Sequence, residues 1–136
     1  MRLNLGWKEA RPDRVVIIIV ERNIMKTRIK IGRYRKREGR CYEIACCFVF
    51  DNEKWHLIHG VMFPNSGRYA GEKLLHAWAK KGNIVYDPVF NKFFETIYYQ
   101  THYRAVEEAI YTKREALRLI RKHNHYGPWQ EYIDPA

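Results

Sequence analysis

Cys41, His76 and Asp87 supply a thiol, an imidazole and a carboxylate, the three groups that thiol-dependent acyl transfer requires. In that chemistry the thiol attacks a carbonyl carbon and the imidazole takes and returns the proton. The carboxylate fixes the imidazole tautomer. Cys41 follows Gly39-Arg40 and precedes an apolar run, so it falls at the expected start of a helix. A thiol there meets backbone N–H groups without helical partners and the positive end of the helix dipole, which favour a thiolate. The same N–H groups can bind an oxyanion, and Arg40 adds a positive charge beside them. Cys46 and Cys47 lie one to two turns further in and read as small core residues. Three cysteines bunched within seven residues do not make a disulfide framework.

His76 and Asp87 are linked by strand register. If Ala79 pairs with Ile84 across a four-residue turn, His76 stands directly opposite Asp87, with Cβ atoms about 5 Å apart. A tighter turn with an even number of residues moves the partner by two positions and keeps the face. Trp78 shares the His76 face and is expected to shield the site from water. Each residue also has a structural reading: Cys41 as a core thiol, His76 as a satisfied polar residue, Asp87 as an Asp-Pro turn.

The elements that must position these groups follow from periodicity. Val15–Val20 and Ile24–Ile31 read as strands joined at Glu21-Arg22-Asn23, and Gly32 and Gly39 mark bends. Residues 42–50 fit a short buried helix ended by Asp51-Asn52, and Trp55–Phe63 alternates as a strand. Pro64–Gly71 is a polar loop. Leu74–Ala79 and Ile84–Val89 form a hairpin around Lys80-Lys81-Gly82-Asn83. Phe93–Tyr103 is ambiguous, and Val106–Tyr111 reads as a strand. The Thr112-Lys113-Arg114-Glu115 capping box opens a last helix with Ala116, Leu119, Ile120 and His123 on one face, stopped at Gly127-Pro128.

The chain has 136 residues and a net charge of +10, from 25 Lys+Arg against 15 Asp+Glu. Hydrophobic residues are 46% of it, so low hydrophobicity does not enforce disorder. Eight cations and one acid fall between Lys26 and Arg40, which concentrates +7 of the +10 in that segment. Lys26, Arg28, Lys30, Arg33, Tyr34, Arg35, Lys36 and Arg37 suit nucleic-acid backbones or a protein partner. A solvated, solubilising face is the alternative. Val15–Val20 is too short to cross a bilayer or to serve as a secretory core, so no membrane and a cytoplasmic location are expected. His56 and His59 fall on opposite faces of their strand, which disfavours a shared zinc ion, and no metal or cofactor is expected. His102, His123 and His125 read as surface or helix-end residues.

The hairpin His76-Ala77-Trp78-Ala79 … Ile84-Val85-Tyr86-Asp87-Pro88 resembles the His-Ala-Trp … Asp-Pro signature of transglutaminase-like and papain-like cysteine enzymes. Gly39-Arg40-Cys41-Tyr42-Glu43-Ile44-Ala45 is similar to the matching Cys segment. The likeness covers roughly residues 39–129, with Leu57-Ile58-His59-Gly60 and His125-Tyr126-Gly127-Pro128-Trp129, and extends to small proteins of bacteria and their phages. It implies a Cys41-His76-Asp87 triad. The sequence departs from the papain pattern in having no Gln before Cys41, which leaves Arg40 and Asn52 as oxyanion candidates.

The expectation is therefore one α+β domain over residues 1–136. A basic amino-terminal β-hairpin extension (1–38) precedes a cysteine-enzyme-like core (39–129) of antiparallel sheet packed on a Cys-bearing helix. The expected function is acyl chemistry on an amide bond of a protein or peptide, as a peptidase, deamidase or transglutaminase-like enzyme. The alternative is a non-enzymatic binding or inhibitor protein acting through its basic face on nucleic acid or a host protein.

Overall fold

The computed structural model describes residue 37 and residues 39–129. The expected strands and hairpin over residues 14–36 lie outside the described residues. The first helix, α1 (Cys41–Asp51), buries Cys41, Ile44, Ala45, Phe48 and Val49, a spacing that makes one continuous apolar stripe. It ends at Asn52, whose backbone N–H and side-chain Nδ2 donate to the carbonyls of Val49 and Phe48 at 3.1 and 2.9 Å.

Five strands follow: β1 (His56–Met62), β2 (Leu74–Lys81), β3 (Ile84–Asp87), β4 (Lys92–Glu95) and β5 (Val106–Tyr111). They form one antiparallel sheet in the order β4-β3-β2-β1-β5. The chain meanders from β1 to β4, then passes through α2 (Thr96–His102) to lay β5 on the opposite edge, beside β1. Helix α3 (Lys113–His123) closes the described chain, opened by the Thr112/Glu115 capping box at 3.2 and 2.9 Å.

Alternation along the strands makes two cores. Leu57, Ala77, Ala79, Ile84, Tyr86 and Phe93 meet α1 and the Ala116 and Leu119 face of α3. Ile58, Trp78, Val85 and Phe94 face the other way and meet Tyr99 of α2. The protein is thus α+β, with the sheet between helices. No helix among the described residues is long and apolar enough to cross a membrane.

Two expectations need correction. The β2–β3 turn has two residues, not four: Lys81 pairs with Ile84 and Ala79 with Tyr86, and β3 ends at Asp87. Gly82, at φ +59, occupies the first turn position where a two-residue hairpin favours glycine. The ambiguous stretch Phe93–Tyr103 splits into the end of β4 and α2, because Phe93 and Phe94 alternate between the two cores while Thr96 and Tyr99 share a helical face.

Gly60 fixes the approach of β5 to β1. A Cβ there would collide with the Val106 carbonyl and stand 2.9 Å from Trp78. The β1–β5 register shifts between His59 and Gly60, and across the other ladder Gly60 pairs with His76.

Candidate active site

Cys41 is the first residue of α1 and is 7% exposed. The first helical rung runs from the Ile44 N–H to the Arg40 carbonyl at 3.0 Å, so the N–H groups of Cys41, Tyr42 and Glu43 precede the ladder. No side chain caps this end. Arg40 folds back instead, its guanidinium bidentate on the Glu43 carboxylate at 2.9–3.0 Å. Asn52, the other oxyanion candidate, sits at the opposite end of the helix and donates to Phe48, about 15 Å away along the axis.

The short turn moves His76 and Asp87 from directly opposed to diagonal positions and leaves them on one face. Beyond the Ala79–Tyr86 pair the two strands are no longer paired, and the side chains close the gap. His76 Nε2 lies 2.8 Å from Asp87 Oδ2, which leaves Nδ1 for the thiol side. Cys41 and His76 line the same cavity, and the thiol adds to the upward push on the imidazole. The structure brings the three expected residues into one region.

Asp87 is fully buried and does two jobs. Its Oδ1 accepts the backbone N–H groups of Val89 and Phe90 at 2.8 and 2.9 Å, so it does shape the Asp-Pro turn. Its Oδ2 accepts from His76 and from the Tyr99 hydroxyl at 2.5 Å. Burial alone would push the carboxyl up; the His76 charge and these hydrogen bonds outweigh it and hold Asp87 below the usual carboxylate range. Burial likewise opposes a charged His76, but Asp87 and then Cys41 raise it above the ordinary imidazole value. Trp78, 1% exposed, packs between His76 and Tyr99 with ring centroids 5.9 and 5.4 Å away.

Tyr99 is the site residue that sequence reasoning missed. Its only signal is the helical spacing Thr96, Tyr99, Tyr103 inside an aromatic-rich stretch. The reactive groups open onto a cavity of about 550 Å³ lined by Cys41, His76, Met62, Leu74, Leu75, Val89 and Phe90 on one side and by Pro64 and loop residues 66–69 on the other. Among the described residues lining it, Arg68 brings the one formal charge besides the reactive pair.

The expected partner-binding residues divide. Lys26, Arg28, Lys30, Arg33, Tyr34, Arg35 and Lys36 lie outside the described residues. Arg37 donates to the Tyr86 hydroxyl at 3.2 Å and to the Pro88 carbonyl at 2.9 Å, tying the chain ahead of α1 to the end of β3. His56 is exposed and His59 buried, as their opposed strand positions require. Among the described residues no three His, Cys, Asp or Glu side chains converge as a metal-ligand set.

Compared with protein-family models, with curated proteins and with solved structures, the chain finds no match in any of the three.

Proposed function

We propose that the protein performs thiol-dependent acyl chemistry on an amide bond, by hydrolysis, deamidation or transamidation, from a papain- or transglutaminase-like core. The observation that carries this reading is the buried His76–Asp87 pair in the cavity that the helix-N-terminal Cys41 also lines. The proton of the Cys41 thiol rests on His76 Nδ1, as the raised His76 favours, and the sulfur attacks the carbonyl carbon. Asp87 holds Nε2–H and balances the imidazolium. The oxyanion is met by the N–H groups at the start of α1. His76 then returns the proton to the departing nitrogen, leaving a thioester on Cys41. Water or an amine attacks the thioester, and the proton it releases passes through His76 to the sulfur. Burial of Trp78 against His76 keeps bulk water off the Asp87 side of the imidazole.

An activated acyl donor tests this without knowledge of the natural substrate. p-Nitrophenyl acetate should form a hydroxylamine-labile thioester on Cys41, seen by intact mass and peptide mapping. His76→Ala should slow it by about 100-fold or more. Acylation at the same rate in His76→Ala, or none at Cys41 in the folded protein, would contradict the proposal.

A further inference from the structure

A second hollow lies next to the Cys41 cavity, on the far side of Leu75, which is 61% exposed and lines both. It measures about 240 Å³ and is walled by Tyr42, Tyr111 and Trp129, with His59 as its floor and Glu108 at its rim. The three rings crowd His59 at centroid distances of 4.7, 4.9 and 4.9 Å. Tyr42 follows Cys41 in the chain, and its hydroxyl feels both sites. Burial pushes it up, and the charges of Cys41 and Glu108 act in the same direction.

His59 is 6% exposed and its Nε2 has no hydrogen-bond partner. Burial pushes its pKa down to about 4, so at neutral pH the floor offers a neutral, polar ring. Among the described residues Glu108 brings the only carboxylate to the lining, and no described Lys or Arg lines the hollow. Aromatic walls with a carboxylate beside them are the recognition chemistry of an alkylammonium group. The neighbouring Cys41 cavity has the opposite character, with Arg68 and no carboxylate among its described lining residues.

We propose that the hollow around His59 and Glu108 is a subsite for a cationic, lysine-like side chain of the substrate whose amide faces Cys41. The word substrate rests on the acyl-chemistry reading; the binding of a cation does not need the thiol. n-Butylammonium is the probe and 1-butanol its uncharged counterpart. The reporter is the indole N–H resonance of Trp129, which donates to the His125 carbonyl at 3.0 Å. n-Butylammonium should shift it saturably in the wild-type protein and equally in Cys41→Ala. Glu108→Gln, at an exposed position, should weaken that binding by about tenfold, and 1-butanol should bind the wild-type protein correspondingly weakly. Equal binding of the two probes, unchanged binding in Glu108→Gln, or no saturable shift would overturn the subsite. Saturable, Glu108-dependent binding in a protein whose Cys41 takes no acyl group would uphold the cation site and remove the acyl reading instead.

Discussion

His76 and His59 stand on neighbouring strands, both 6% exposed, and burial acts on both against the charged form. They end on opposite sides of the ordinary imidazole value. His76 points to the α2 face, where Asp87 accepts its Nε2–H at 2.8 Å, and it is raised. His59 points to the α1 face, among Tyr42, Tyr111 and Trp129, and falls to about 4. Equal surface exposure with opposite outcomes means the counter-charge, not the exposure, holds one histidine charged and leaves the other a neutral ring.

Asp87→Asn tests this most severely, because it leaves the shape and removes the charge. His76 then feels burial opposed by Cys41 only and should fall well below its wild-type value. Cys41 alkylation at pH 7 should slow by about 100-fold or more. Stability should fall by about 3 kcal/mol, since one partner of a buried pair is lost. Imidazole NMR titration and urea unfolding read the two effects, and a His76 that keeps its raised value in Asp87→Asn would break the comparison.

His59 should make the protein acid-sensitive. Its folded value near 4 lies below the 6.5 of the unfolded chain, so between those limits the unfolded state binds more protons. Stability is therefore lost as pH falls from 6.5 to about 4, by roughly 3 kcal/mol in full. His59→Phe, which keeps the ring and removes the proton site, should flatten that limb in urea unfolding at pH 7 and 4.5. The His76–Asp87 pair acts at other limits. The raised His76 adds stability below its unfolded value that is lost as pH rises through the folded one. The lowered Asp87 adds stability that is lost as pH falls through its own depressed value.

Tyr99→Phe should give the smallest effect. It removes one donor from Asp87 Oδ2 and costs about 2 kcal/mol for a bond to a buried charge. The carboxylate then turns more fully to His76, so His76 should keep its proton to higher pH. An NMR titration of His76 unchanged by the substitution would mean that Tyr99 only packs.

The same contrast separates what the sequence could disclose from what it could not. The Cys41 helix, the His76 and Asp87 strands and the capping box at Thr112 were all readable, because period and turn chemistry are local properties. The face shared by His76 and Asp87 survived a wrong turn length, since an even shift keeps parity; the diagonal geometry did not. Tyr99 was hidden because its link to Asp87 is tertiary, made when α2 crosses the sheet. His59 was readable as one half of an unfavourable zinc pair, and its place beside Glu108 depends on β5 returning to the far edge. Asp87 carried two readings, turn residue and histidine partner, and its two oxygens serve one each.

The central claim is that His76 acts on Cys41. Iodoacetamide alkylation of Cys41 between pH 6 and 7, read by intact mass and peptide mapping, tests it directly in the wild-type protein and in His76→Ala. The account predicts fast, Cys41-selective labelling that falls about 100-fold or more in His76→Ala while Cys46 and Cys47 stay slow. Labelling of Cys41 that is sluggish in the wild-type protein and unchanged in His76→Ala would contradict it.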